Sequence, residues 1–236
     1  KFISGWYSLN LLAQSVEDEK KAIQPHLDKL KHNGCKVCIA CETSNTIQGS
    51  QVDINTSPVL TAEEMKAFGA KIEELAAFCA SQGIDLVYHH HMGTVVETPA
   101  EIDAFMEATG PATKLLFDAG HCYFGSNGQD PAPVLEKHAA RVKHFHAKNV
   151  RPAVMNEIRE NKKSFMDGVR AGVFTVPGDG EGGVDFKALL QILKDTGYEG
   201  WIVIEAEQDP EVRNPFQYQS LGLKTLKQLA KEVDLT

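Results

Sequence analysis

The sequence predicts an α/β protein, a parallel (β/α)8 TIM barrel, on three observations. Short β-branched or apolar runs alternate with amphipathic stretches along almost the whole chain, the pattern of successive βα units around a parallel sheet. The 236 residues, 42% hydrophobic and 24% charged, are enough for one barrel domain over residues 1–236. Ionisable residues collect at the carboxyl ends of the strand-like runs, where α/β barrels build their active sites.

In chain order, the first extended run is FISGW, Phe2 to Trp6, and Ser15 with Asp18 then gives a helix its capping side chain and first-turn acid. KVCIAC (Lys36 to Cys41) is the second strand. Its thiols, with Cys35, Cys79 and Cys122, make an odd set of five and read as reduced, buried small hydrophobes. Cys35 and Cys38 have C-x-x-C spacing, but no second pair completes a zinc site. Thr61 with Glu64 opens a helix whose Met65, Phe68, Ile72, Leu75 and Phe78 stripe faces the core, and Gly83 ends it. DLVYHH (Asp85 to His90) follows, then a helix begun by Thr98-Pro99 with Glu101. KLLFDAG (Lys114 to Gly120), a helix from Asp130-Pro131, VKHFHA (Val142 to Ala147) and GVFTV (Gly172 to Val176) continue the series. A helix over Val184 to Gly197, the strand WIVIEAE (Trp201 to Glu207) and a helix over Tyr218 to Val233 complete it. This makes seven strands where a closed barrel has eight, so the first βα unit is expected upstream of Lys1.

The formal net charge of −8, with no basic stripe, argues against nucleic acid as a partner. No apolar run approaches the ~20 residues of a membrane span, and the first residues lack a signal pattern, so a cytoplasmic location is the default. Neither a phosphate-loop nor a dinucleotide fingerprint occurs, so no nucleotide cofactor is expected. Exposed helices of α/β barrels often pair, which makes a homo-oligomer the expectation from class.

The third strand runs into His89, His90 and His91, the fourth into Asp118 and His121, the fifth through His144 into His146 and Lys148, and the last into Glu205 and Glu207. A single His or Glu at a strand end is usually a rim residue, but four strands ending this way point to a site. Because side chains alternate across a strand, His89 shares a face with His91, His144 with His146, and Glu205 with Glu207. Mixed oxygen and nitrogen donors from different strands suit Mn²⁺, Co²⁺, Fe²⁺ or Zn²⁺ better than Ca²⁺.

At these residues the chain resembles the xylose-isomerase-like barrel superfamily, in the runs DAGH (Asp118 to His121), FHAKN (Phe145 to Asn149), PGDGEGG (Pro177 to Gly183) and VIEAE. The resemblance implies a metal held by Asp118, His146 and Glu205. The segments YHHHMGTVVET, GVFTVPGDG and GYEGWIVIEAEQDP are similar to the inosose dehydratase family, over nearly the whole chain. Many superfamily members have a Glu as fourth ligand where His89 stands, so His89 and Glu97 are both candidates for that role. Asn149 stands where an Asp is common and is expected to orient neighbours.

The implied reaction is loss of water next to the ketone of 2-keto-myo-inositol, giving a trihydroxycyclohexane dione, with Mn²⁺ or Co²⁺ ahead of Zn²⁺, Fe²⁺ or Mg²⁺ as cofactor. A metal stabilises the enediolate, and His91 and His121 are the candidate base and acid, since imidazole titrates near working pH. Lys148 is placed to contact a hydroxyl or the developing oxyanion. Arg151 and Glu42 are further polar candidates, Trp6 and Phe124 an apolar wall, and the PGDGEGG loop a pocket lining. A metal-dependent keto-sugar epimerase or isomerase of the same superfamily is the alternative activity; a non-catalytic sugar binder is a reading from another class.

Overall fold

The computed structural model describes residues 1–235. The chain forms, in order, β1 (Trp6–Leu9), α1 (Val16–His32), β2 (Val37–Glu42), α2 (Ala62–Ser81), β3 (Asp85–His89), α3 (Pro99–Ala108), β4 (Lys114–Asp118), α4 (Ala119–Gly125) and α5 (Ala132–His138). It continues through β5 (Val142–Ala147), β6 (Asn149–Val150), α6 (Pro152–Glu160), α7 (Phe165–Ala171), β7 (Phe174–Thr175), α8 (Phe186–Asp195), β8 (Trp201–Ile204) and α9 (Pro215–Glu232).

Most helices start at a capping side chain; α5 and α6 start instead at a proline. Ser15 accepts from Asp18 N, and Thr61 with Glu64 and Thr98 with Glu101 form complete capping boxes. On α2, Met65, Phe68, Ile72 and Leu75 are buried, Phe78 is half-buried, and Gly83 turns the chain at φ +77°.

Six strands form one parallel sheet in the order β1-β2-β3-β4-β5-β8. Two expectations are corrected. The first strand begins at Trp6 rather than ending there, because its ladder pairs Trp6 to Leu9 with Ile39 to Glu42. The GVFTV run does not enter the sheet: Phe174 and Thr175 pair antiparallel with Val150 and Asn149, while β5 bonds directly to β8, His144 opposite Trp201. Aromatic and β-branched content marks extended backbone, but does not choose its partner.

Alternation divides the sheet's side chains into two sets. Cys38, Ala40, Leu86, Tyr88, Leu115, Phe117 and Phe145 join the large core under the helices. Ile39, Val87 and Leu116 form a small separate cluster on the opposite, barrel-interior face. Continued toward the carboxyl ends, that interior face carries the polar residues. All five cysteines are buried and free.

Candidate metal centre

Register brings the donors together. Leu116 lies opposite His89 in the β3–β4 ladder, and two residues further along the same face Asp118 lies opposite His146. His146 is level with Val203 of β8, and Glu205 follows two residues beyond, again on the same face. One donor atom from each of His89, Asp118, His146 and Glu205 falls within 4.8 Å of every other. His89 Nε2 is 3.6 Å and His146 Nδ1 is 3.4 Å from Asp118 Oδ2, and His146 Nδ1 also touches Glu205 Oε2.

Local bonds set the roles of the atoms. Asp118 caps α4 by accepting from His121 N through Oδ1, which leaves Oδ2 to face the cluster. His89 Nδ1 lies 2.5 Å from the carbonyl of His90, so its proton sits there and Nε2 presents a lone pair. Buried Asp118 Oδ2, Glu205 Oε2 and His146 Nδ1 crowd against one another without a well-aligned hydrogen bond. Buried polar atoms are rarely left so, and carboxylate oxygens and imidazole nitrogens gathered about one point can all turn lone pairs toward a divalent cation. Burial opposes ionisation of both carboxylates, yet Lys148 beside them holds Asp118 and Glu205 well below the usual carboxylate range. Burial also works against a charged His146, but the Asp118 and Glu205 carboxylates raise it to about 9.

Next to this cluster stand His91, His121, Glu207 and Lys148. The His91 and His121 rings lie 3.8 Å apart between centroids. His91 Nδ1 donates to the Met92 carbonyl at 2.8 Å, leaving Nε2 as an acceptor. Burial depresses both imidazoles below their ordinary value, that of His121 strongly. Lys148 is fully buried, 2.8 Å from His121 Nε2 and 2.8 Å from Glu207 Oε2. Burial disfavours its charge, but Asp118, Glu205 and Glu207 outweigh this and keep it an ammonium.

A cavity of about 380 Å³ opens over both groups, lined by His89, His91, His146, Glu205 and Glu207 at its base. Trp6 forms part of its wall, edge-on to His89 at 5.6 Å. Gln48, Gly49, Phe165 and Met166 complete it. These four come from loops and a helix start, where no strand-end pattern marks them. Glu207 was detectable, since it shares the face of Glu205.

The remaining candidates lie elsewhere. Glu97 does not reach the cluster: its carboxylate accepts from Ser57 and from Gly93 N and faces Arg159 at 3.8 Å, bonds that hold it under the β3 loop. Glu42 accepts from Leu11 N and Ser44 and ties two loops together. Phe124 is buried beneath the Arg159 guanidinium rather than in the cavity wall. The PGDGEGG loop does not line this cavity. Arg151 binds its Asp179, and Asn149 donates to Val176 O and accepts from Val184 N, fastening both ends. A Cβ at Gly182 would stand 2.0 Å from Asn149 Nδ2, so that glycine serves close approach.

The model of the xylose isomerase-like TIM barrel family matches residues 7–229. The chain is 44% identical over 228 residues to the rhizopine catabolism protein MocC of Rhizobium meliloti, covering 96% of this chain and 69% of that protein. It is likewise 44% identical over 218 residues to the inosose dehydratase of Geobacillus thermodenitrificans, covering 91% and 72%. In fold it is similar to the crystal structure of the probable 3-DHS dehydratase AsbF from Bacillus anthracis, with a TM-score of 0.71 at 15% identity over 96% of this chain and 76% of that one. The chain belongs to the xylose isomerase-like TIM barrel family, among relatives that include the inosose dehydratases.

Proposed function

We propose that this protein is a divalent-metal-dependent hydro-lyase that removes water from inosose (2-keto-myo-inositol), with Mn²⁺ or Co²⁺ as its ion. The observation that carries the reading is the buried His89, Asp118, His146 and Glu205 cluster beneath the cavity, in a chain 38–44% identical to inosose dehydratases and a rhizopine catabolism protein. The two carboxylates and two imidazoles would hold the ion, which supplies Lewis-acid stabilisation of charge developing on the substrate's oxygens.

Dehydration breaks a C–H bond next to the ketone and the C–O bond of the neighbouring hydroxyl. The C–H electron pair becomes the new C=C bond, and the departing hydroxide takes up a proton to leave as water. His91 is suited to accept the first proton, because its Nδ1 is committed to Met92 O and its Nε2 lone pair is free on a ring that lines the cavity. The second proton is supplied from the Lys148, His121 and Glu207 group, in which Glu207 reaches the cavity wall. The Lys148 ammonium also offers a fixed positive charge to a developing oxyanion. Five free buried thiols accord with a reducing cytoplasm.

Incubating the protein with Mn²⁺ or Co²⁺ and 2-keto-myo-inositol is expected to generate the ultraviolet absorption of the dione, and chelation to abolish it. Asp118→Ala and Glu205→Ala are each expected to lower turnover at least ~100-fold, beyond what loss of an outer-shell partner costs. Formation of an isomeric ketose without the dione signal would favour the epimerase, and unaltered turnover in both variants would sink the metal site.

A further inference from the structure

Beside the four-donor cluster, His91, His121 and Glu207 form a second set of metal-type donors, also within 4.8 Å of one another. A cation already stands among them. Lys148 Nζ is 2.8 Å from both His121 Nε2 and Glu207 Oε2, and also 3.2 Å from Glu205 Oε1 and 3.5 Å from Asp118 Oδ2. The ammonium therefore contacts donors of both sets and shares two carboxylates with the first. Two-metal centres place their ions ~3.5–4 Å apart, a spacing at which one carboxylate can reach both.

We propose that Lys148 is the resident cation of this second position: its ammonium stands where a second divalent ion would otherwise bind and holds the centre to one metal ion. The inference rests on reading His89, Asp118, His146 and Glu205 as a metal site, and it adds what sets the number of ions. Charge favours it. Asp118, Glu205 and Glu207 carry three negative charges, which one divalent ion and one ammonium cancel. A second divalent ion beside a retained ammonium would leave the buried site with two positive charges in excess.

Packing favours it as well. Lys148 is fully buried, and its ammonium lies 5.0 Å from the centre of the Phe174 ring. Its stem crosses directly behind the DAGH turn, where a Cβ on Gly120 would lie 2.6 Å from Lys148 Cγ and 2.9 Å from its Cβ. The glycine keeps the channel open for the lysine. A lysine serving only as a rim charge needs no such channel.

The test is metal stoichiometry and Mn²⁺ electron paramagnetic resonance on the full chain, stripped with chelator and reloaded with Mn²⁺. The wild type is expected to hold one ion. Lys148→Ala and Lys148→Gln are expected to hold two, with the exchange-coupled spectrum of a close Mn²⁺ pair. Lys148→Arg, which keeps the charge, is expected to stay at one, and adding His121→Ala to Lys148→Ala to return the count to one. Lys148→Gln preserves most of the side-chain volume, so the count remains readable if the alanine variant does not fold. One ion in both neutral variants, or two in the wild type, overturns the proposal. No ion in the wild type overturns the underlying metal-site reading instead.

Discussion

At His146 a proton and a metal ion contend for one nitrogen. In the metal-free chain the imidazole is raised to about 9, because the Asp118 and Glu205 carboxylates outweigh its burial. As a ligand it must be neutral. The raised value means the protonated ring stabilises the metal-free fold. That contribution is complete below the unfolded value of ~6.5 and fades as pH rises through about 9. Metal uptake at the proposed site would run the other way, since below about 9 each ion would have to expel that proton. His89 is held well below its ordinary value by burial, and so adds no second proton near neutrality. Apparent Mn²⁺ affinity is therefore expected to climb about tenfold per pH unit between pH ~7 and ~9 and then level, with one proton released per ion. Calorimetry in buffers of differing ionisation enthalpy measures this; an affinity flat across that range would remove His146 from the ligand set.

Among the elements, those whose cause is local were legible in the sequence. Ser15, Thr61 and Thr98 marked helix starts because a capping side chain acts within three residues, and β3, β4, β5 and β8 were marked by their apolar runs. Their inward faces followed from alternation, and resemblance then pointed to Asp118, His146 and Glu205, with the fourth ligand left open between His89 and Glu97. Two helices, α6 and α7, were missed although Pro152 at the start of one and the Ser164–Asp167 capping box with Gly172 on the other mark them locally. What depends on distant partners was not legible: β6 is two residues long, β7 pairs outside the barrel, and Glu97 is drawn away by Ser57 and Arg159. Arg151 shows how such tertiary bonds act. From the start of α6 its guanidinium donates to Gly172 O at 2.5 Å and Thr175 Oγ1 at 3.0 Å and pairs with Asp179. Arg151→Met would leave Asp179, little exposed, without its cation, at a cost of about 3–5 kcal/mol. Hydrogen exchange is expected to rise across residues 172–184, while the Mn²⁺ count stays at the wild-type value. Unchanged exchange there would show that Asn149, Thr175 and the backbone bonds of the segment hold it without Arg151.

For the whole molecule, the decisive property is that one face of the barrel strands gathers donors far apart in sequence, from His89 on β3 to Glu205 beyond β8. Asp118, Glu205 and Glu207 stand close together, and Lys148 with a protonated His146 offsets only two of their three charges. On the proposed reading, an ion held by His89, Asp118, His146 and Glu205 would tie four strands together near their carboxyl ends. The unfolded chain, with these donors dispersed, cannot offer the same site. Binding at the proposed site would then stabilise the native state by mass action, by about 2.7 kcal/mol at a free ion concentration 100 times Kd. For a chain of this length each kcal/mol moves the midpoint by ~2–4 °C, so the expected rise in Tm is about 5–11 °C. Thermal unfolding followed with and without Mn²⁺ reads this directly, and the rise should vanish in Asp118→Ala. Because that substitution also removes the α4 cap, its own Tm without ion is the reference for the comparison. An equal rise in wild type and variant would place the stabilising ion away from the barrel mouth, and no rise in either would remove the ion from the account of stability.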